Sequence, residues 1–214
     1  MRYIVKEFDK PLLIFSADMN SSNSNLQIEK IYEENDAFFP LNLTVSNGGL
    51  ESWLKHRVIP KNRAYVDALL SKTGLSANRP LGIIAVCKGL SLNDCYWVDS
   101  ADNESSFAKV NLYDNRFSTI LASIAFTGYG SSVRSSLFSS PEFSTNGMLP
   151  KCWRRINGKI YLYKGGTSGF SNTGFEPYSE LYAYQIAKAM EINAIRYTLT
   201  KDLKKSLCSK CELF

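Results

Sequence analysis

The sequence predicts an α+β protein, in which a small N-terminal α+β part precedes an antiparallel sheet that carries one main helix. Short apolar runs alternate with turn residues in the N-terminal half, which is typical of short strands and helices joined by loops. Asn157-Gly158 separates two alternating segments, the usual signature of a two-residue hairpin. Residues 176–190 then have helical spacing, with Pro177 in the first turn.

Composition and charge are those of an ordinary folded protein. Of the 214 residues, 44% are hydrophobic and 21% are charged, which argues against wholesale disorder. The net charge of +5 is too small to indicate a nucleic-acid partner. The sequence contains no apolar run that could span a bilayer and no secretory signal, so we expect a cytoplasmic protein with no membrane contact.

The cysteines and the single histidine restrict the possible chemistry. The five cysteines are an odd number in a chain without a secretory signal, so we expect reduced thiols rather than a disulfide framework. Cys208 and Cys211 have the spacing of a zinc knuckle, but a second ligand pair is missing and we expect no metal site. His56 lies on a polar helical face and is interpreted as a surface residue rather than a catalytic base.

Residues 1–128 are predicted to form the N-terminal part. Its elements follow from periodicity and turn residues: strands at 3–5, 12–15, 81–87 and 95–98, and helices at 50–58, 62–74 and 117–126. Asp94 is interpreted as a turn residue rather than an acid catalyst. A Gly/Ser-rich run from Gly128 to Pro141 has the composition of a linker, so we place a domain boundary there and predict a second unit over 129–214.

The two helices on either side of Pro60 resemble a helix-turn-helix in layout. A helix that reads DNA usually carries clustered basic and amide side chains, whereas Asn62, Arg63 and Lys72 are scattered. We therefore interpret the pair as structural packing and expect no direct contact with nucleic acid. A nucleic-acid-binding regulator stays as an alternative, and it predicts salt-dependent retention on DNA.

The loop Ser144-Thr-Asn-Gly-Met-Leu-Pro-Lys151 leads into the Asn157-Gly158 hairpin. A small loop that contains a glycine lets backbone N–H groups approach phosphate oxygens, and Lys151 and Lys164 add positive charge. We expect residues 144–150 to be mobile when no nucleotide or partner orders them. A plain hairpin turn is the alternative for this loop taken alone.

Lys164 shares one face of its strand with the aliphatic Ile160 and Leu162, so its ammonium needs an anionic partner. Glu180 lies early in the following helix, on a predicted sheet-facing stripe that continues at 183, 184, 187 and 190. We therefore predict a Lys164–Glu180 salt bridge, the pair that holds a kinase lysine on nucleotide phosphates. The alternative is that Glu180 favours the helix dipole while Lys164 reaches solvent.

These segments resemble the HipA-like family of serine/threonine toxin kinases. Residues 144–151 resemble its phosphate loop, with a serine, a glycine three positions on and a lysine four further on. Tyr161-Leu-Tyr-Lys164 resembles its nucleotide-lysine strand, and residues 178–192 resemble its glutamate-bearing helix. The resemblance covers roughly the last third of the chain. Residues 1–128 match the family's N-terminal subdomain only in layout.

The resemblance implies that residues 129–214 form a kinase-type small lobe that binds ATP. The implied nucleotide contacts are Ser144, Thr145, Asn146, Gly147, Lys151 and Lys164. Lys164 and Glu180 would form the catalytic ion pair, and Ser144 would be the regulatory phosphorylation site whose phosphate expels the loop. Asn146 and Pro150 depart from the family's pattern, which leaves the flexibility of the loop open.

The resemblance also implies an ATP-dependent protein kinase of a toxin–antitoxin system, held by a DNA-binding antitoxin. No catalytic-loop Asp and Asn pair and no metal-binding Asp segment follow the last predicted strands, at 194–199 and 206–214. We therefore expect the magnesium ligands and a kinase large lobe to come from the same gene or a separate chain, with no phosphoryl transfer by these residues alone. The alternative, from another class, is a noncatalytic kinase-like interaction module that binds a partner lobe or the antitoxin.

Overall fold

The computed structural model describes residues 1–19, 21, 25–133, 140–167, 174–201 and 206–213. Residues 134–139 of the predicted linker and Phe214 at the end of the last predicted strand lie outside the described residues. The predicted α+β class is confirmed, because the described part of the chain contains two antiparallel four-stranded sheets together with several helices. None of the helices in that part is long and apolar enough to cross a bilayer.

The first sheet is antiparallel, with the strand order β3-β2-β1-β4. Its strands are β1 (Arg2–Glu7), β2 (Lys10–Ser16), β3 (Gln27–Ile31) and β4 (Tyr96–Ser100). Val5 pairs with Leu13 and Tyr3 with Phe15, so these side chains share the face that contributes to the main apolar core. The predicted strands at 3–5, 12–15 and 95–98 are thereby confirmed.

The other face of this sheet carries a buried cluster of charges. The Lys6 Nζ lies 2.5 Å from Glu104 Oε2 and 3.9 Å from Asp99 Oδ2. Asp99 also accepts hydrogen bonds from the Lys88 ammonium and from the Ser105 N–H. Two ammonium groups and two carboxylates therefore balance one another beside the Trp97 ring, with the Lys6 and Asp99 side chains almost fully buried.

Helices pack on both faces of the first sheet, most of them against the main core and the short one at Phe107–Val110 beside Trp97. They are α1 (Asn47–His56), α2 (Val66–Lys72), α3 (Pro80–Cys87), α4 (Phe107–Val110) and α5 (Thr119–Thr127), with 3-10 turns at Glu33–Phe38 and Pro141–Phe143. Ser46 caps α1 by accepting from the Gly49 N–H at 3.0 Å, and Ser118 caps α5 by accepting from the Leu121 N–H at 3.2 Å.

Two expectations for the N-terminal part are corrected. Residues 81–87, predicted as a buried strand, form helix α3, which begins at Pro80 and buries Leu81, Ile83 and Ile84. A short run that is apolar on every side has no periodicity with which to distinguish a buried helix from a strand. The helix predicted over 62–74 is shorter, because α2 begins at Val66 after Tyr65 adopts the left-handed conformation.

The second sheet has the strand order β5-β6-β8-β7, so its last strand lies between the two strands that precede it. The strands are β5 (Lys151–Ile156), β6 (Lys159–Gly165), β7 (Tyr197–Lys201) and β8 (Leu207–Glu212), and helix α6 (Glu176–Ala189) precedes β7. The predicted Asn157-Gly158 hairpin is confirmed, with positive φ angles of 51° and 81° at its two turn residues.

The second sheet packs against the N-terminal part on both of its faces. One face, which we call the cysteine face, buries Cys152, Tyr163 and Cys208 against Ala122 and Phe126 of α5. The opposite face joins a second apolar cluster that contains Trp153, Ile160, Leu90, Leu92 and Trp97. The domain boundary in the run 128–141 stays a prediction, and dense packing connects the residues on its two sides.

Candidate functional site

The predicted ion pair between β6 and α6 is present. The Lys164 Nζ donates to Glu180 Oε1 at 2.6 Å, and the lysine and glutamate side chains are 19% and 28% exposed. The predicted stripe on α6 is only partly correct, because Tyr184 is half-buried whereas Ala183 and Met190 are exposed. Glu180 lies near the beginning of α6, and this part of the helix faces the sheet.

Tyr197 completes the surroundings of Lys164, and the sequence analysis missed it. Its hydroxyl accepts from the Lys164 Nζ at 2.7 Å, and it lies on the edge strand β7. Burial alone would lower the pKa of Lys164, but the hydrogen bonds to Glu180 and Tyr197 outweigh it and raise that pKa. Burial raises the pKa of Tyr197 to about 12, although the lysine opposes this. Lys164 therefore carries a full positive charge at neutral pH.

A second lysine lies directly opposite the first. Lys151 on β5 is the register partner of Lys164 on β6, so both side chains leave the same side of the sheet, which we call the lysine face. Lys151 is only 7% exposed, and its Nζ donates to the Asn146 carbonyl at 2.7 Å. Burial, reinforced by the charges of Arg63 and Lys164, lowers the pKa of Lys151 to about 8.

The loop from Ser144 to Pro150 wraps the Lys151 ammonium. Gly147 has a φ of +91°, and a Cβ at this position would lie 2.3 Å from the Lys151 Nζ. The backbone conformation therefore favours glycine here, and any side chain at this position would also displace the end of the Lys151 side chain. The phosphate contact of Gly147 stays a prediction, and in the structure the Lys151 ammonium occupies the space where a Cβ would lie.

The loop is tied down by its own side chains. The buried Ser144 hydroxyl donates to the Leu90 carbonyl at 2.6 Å, and the Thr145 hydroxyl donates to the Pro141 carbonyl at 2.6 Å. The Trp153 indole N–H in turn donates to Thr145 Oγ1 at 2.9 Å. This arrangement differs from the loose, polar loop on which the expectation of mobility was based. The assignment of Ser144 as a phosphate acceptor consequently depends on the family resemblance alone.

A buried arginine from the N-terminal part reaches the same loop, and the sequence analysis had treated it as a scattered basic residue. Arg63 is paired with Glu142, with 3.3 Å between Nη2 and Oε2, and neither side chain is accessible to solvent. Glu142 Oε1 also accepts from the Trp153 backbone N–H at 2.8 Å. Burial raises the pKa of Glu142 to about 7, although the Arg63 charge opposes the shift.

A cavity of about 260 Å³ opens beside the two lysines. Of the predicted nucleotide contacts, Ser144, Thr145, Asn146, Lys151 and Lys164 line it. Its volume falls just below the usual range of about 300–1,000 Å³ for ligand sites. A second surface packed against it could enlarge it to a complete site.

A larger cavity of about 870 Å³ lies on the other side of Asn146. Its two lysines, Lys55 and Lys61, are exposed to water, so solvent screens their charge. The shielded lysines of the smaller cavity need an anion more strongly. Charge and burial, rather than volume, therefore identify the smaller cavity as the candidate anion site.

The remaining candidate residues, Cys208, Cys211, His56 and Asp94, do not line the smaller cavity. Cys208 and Cys211 lie three residues apart on β8, so their side chains point to opposite faces of the sheet and cannot ligate one metal ion. His56 is exposed. Asp94 lies in a turn, and its two carboxylate oxygens accept hydrogen bonds from the two terminal nitrogens of Arg57. Among the residues that the structure describes, no group of three or more His, Cys, Asp or Glu side chains could hold a metal.

The sequence matches no protein-family model and no curated protein.

Proposed function

We propose that this chain is the ATP-binding N-terminal portion of a HipA-like serine/threonine kinase of a toxin–antitoxin system, acting in the cytoplasm. One observation carries the proposal. Lys151 and Lys164 lie directly opposite each other on neighbouring strands, with Glu180 as the carboxylate beside them, at the mouth of a cavity bounded by a glycine-containing loop.

The charge balance of this site favours a phosphate ligand. Like charges directly opposite each other in a sheet are destabilising, and shielding from water strengthens the repulsion. One carboxylate neutralises one lysine, so an excess positive charge faces the cavity. A triphosphate supplies several oxygen acceptors and the missing negative charge, and a lysine held by a glutamate is the arrangement that positions nucleotide phosphates in kinases.

The same proposal assigns the remaining parts of the reaction to residues outside this site. Phosphoryl transfer needs magnesium ligands and a group that positions the nucleophile, and the described residues offer no metal cluster. We assign both to a kinase large lobe from the same gene or a separate chain, and the family resemblance adds a DNA-binding antitoxin as a further partner. Incubated with labelled ATP and magnesium, these 214 residues should bind nucleotide without labelling a protein substrate.

Regulation by phosphorylation of Ser144 would require the loop to leave its present position. The Ser144 hydroxyl is buried and donates to the Leu90 carbonyl, so a phosphate there would place negative charge against a carbonyl oxygen. A phosphorylated loop would therefore be expelled. Ser144→Asp should weaken ATP binding more than Ser144→Ala, because alanine removes the hydroxyl without adding a negative charge.

ATP titration by calorimetry at 25 °C tests the proposal. Lys164→Ala should weaken binding about 10–100-fold, because a charge-assisted hydrogen bond contributes about 1.5–3 kcal/mol. Lys159→Ala is the matched control, since Lys159 begins the same strand but is exposed and pairs with Glu212. Equal affinity of wild type and Lys164→Ala would contradict the proposal, as would inorganic triphosphate binding as tightly as ATP.

A second candidate, a noncatalytic interaction module, is favoured by the outer surface of α6. Tyr182, Ile186 and Met190 follow one another at spacings of four residues and are each 60–64% exposed. An exposed apolar stripe of this kind marks a protein interaction surface. If the folded chain fails to bind ATP, this function becomes the better account. If ATP binds through Lys164, the same stripe is available to the partner lobe.

A further inference from the structure

Arg63 makes an unusual set of contacts for a residue of the N-terminal part. Its Nη1 donates to the carbonyl of Glu142 at 3.1 Å and to that of Thr145 at 3.2 Å. Its Nη2 donates to the carbonyl of Lys151 at 2.5 Å and to the Glu142 carboxylate at 3.3 Å. A single guanidinium thereby bonds the backbone before, within and after the loop 144–150.

Neighbouring backbone groups of the N-terminal part hold the same loop. The Ala64 N–H donates to the Met148 carbonyl at 2.8 Å, and the Ile59 N–H donates to the Phe143 carbonyl at 2.6 Å. The segment 59–64 therefore runs alongside the loop and follows its path. Of these contacts only the Arg63 guanidinium joins the two ends of the loop, because its planar fork presents several donors in fixed directions.

The Arg63–Glu142 pair is costly to bury, which makes a purely stabilising role a poor explanation. Burial lowers the pKa of Arg63 and raises that of Glu142, so each charge is disfavoured by its surroundings. Buried ion pairs of this kind often stabilise a fold no better than apolar side chains of equal volume. An apolar replacement could not reproduce the hydrogen bonds to three carbonyls, one within the loop and one on either side of it.

We propose that Arg63 is a positioning residue, which holds the loop 144–150 in the shape that binds phosphate, so that the N-terminal part sets nucleotide affinity. The identity of the ligand rests on the proposed function, whereas the dependence of loop order on Arg63 does not. The loop also wraps the Lys151 ammonium, so a loop released from Arg63 would release Lys151 as well.

The test compares two double variants that each remove a buried or half-buried arginine–carboxylate pair. Arg63→Met with Glu142→Gln removes both charges and keeps an acceptor for the Trp153 N–H. The control, Arg57→Met with Asp94→Asn, removes a pair that bonds carbonyls of Gly89 and Tyr96 but no residue of the loop. Calorimetry gives the Kd for ATP, and amide hydrogen exchange gives the protection of residues 144–150 relative to β6.

We expect the Arg63/Glu142 variant to lose about tenfold in ATP affinity or more, with faster exchange in the loop and unchanged exchange in β6. The control should retain the wild-type Kd even if its melting temperature falls. Unchanged loop exchange in the Arg63/Glu142 variant would overturn the inference. If ATP does not bind wild type but the loop exchanges faster in that variant, the positioning role stands and the proposed function fails.

Arg63→Lys provides a second test if the double variant does not fold. Lysine keeps the charge beside Glu142 but presents its donors at one nitrogen, so it cannot bridge both ends of the loop. Faster loop exchange and weaker ATP binding in a variant with near-normal melting temperature would support the positioning role. Wild-type values for both measurements would show that charge alone suffices and would overturn it.

Discussion

Both sheets of this protein carry a lysine on a strand that faces a carboxylate, but the two sites differ in charge balance and access. In the first sheet, Lys6 and Asp99 are sealed in a cluster whose two cations match its two anions. In the second, Lys164 is paired with Glu180 and lines a cavity together with an additional lysine, Lys151. A lysine–carboxylate pair therefore does not by itself indicate a ligand site. An excess of positive charge beside a cavity is what indicates such a site.

The largest expected effect is the loss of stability when Asp99 is removed. Asp99 stabilises the fold, whereas Glu180 orients a lysine of the proposed ligand site. Asp99→Ala leaves the buried Lys6 ammonium and the partly exposed Lys88 ammonium short of a carboxylate, and breaking a buried pair typically costs about 3–5 kcal/mol. Urea denaturation should show this loss, with ATP affinity unchanged under conditions where the variant is folded. Glu104→Ala, which removes the half-exposed partner, should cost much less. Equal losses in both variants would contradict the balanced-cluster description.

Glu180→Ala should have the opposite profile. The ion pair is partly exposed, so its removal should change the free energy of unfolding by less than about 1 kcal/mol. Lys164 would then lose the group that orients it, and we expect about tenfold weaker ATP binding. Calorimetry and urea denaturation of the same preparation measure both quantities. A large loss of stability with normal binding would place Glu180 in the same class as Asp99.

The pH dependence tests whether Lys151 contributes charge to the ligand. Because its pKa lies at about 8, the lysine loses its proton as the pH rises past that value, and ATP affinity should fall between pH 7.5 and 9. The stability of the protein without ATP depends on pH in the opposite direction. Folding lowers this pKa from 10.5, so the group's contribution to stability increases as pH rises from about 8 toward 10.5. Lys151→Met should flatten both profiles, and profiles that match wild type would exclude this role.

The smallest effect is expected from Tyr197→Phe. The variant removes the hydroxyl that accepts from the Lys164 Nζ, while the ring, whose centroid lies 4.8 Å from that nitrogen, remains. A single hydrogen bond contributes about 0.5–1.5 kcal/mol, so ATP affinity should fall about two- to tenfold. Calorimetry alongside Lys164→Ala checks the order of the two effects. A larger loss than for Lys164→Ala would mean that Tyr197 contacts the ligand directly.

The parts of the site that sequence could predict are those set by local periodicity. Lys164 and Glu180 are 16 residues apart on consecutive elements, and strand alternation with helical spacing was enough to bring them together. Tyr197 is 33 residues from Lys164, and its contact depends on β8 entering between β6 and β7. Arg63 and Glu142 are 79 residues apart and meet only through packing between the two parts of the fold. Helix α3 was misread because its apolar residues leave no polar face to reveal the period.

The hydrogen bond between the Trp153 indole and Thr145 gives the loop an optical signal. Trp153 is one of three tryptophans in the chain, and its ring is almost fully buried against the loop and the second apolar cluster. Trp97 shares the second apolar cluster with Trp153 but makes none of the loop contacts described above, and Trp53 lies in the main core. Departure of the loop would expose the Trp153 ring to water and shift its fluorescence to longer wavelength. The position of the loop can therefore be followed in real time, in the unlabelled protein, by the emission of one native side chain.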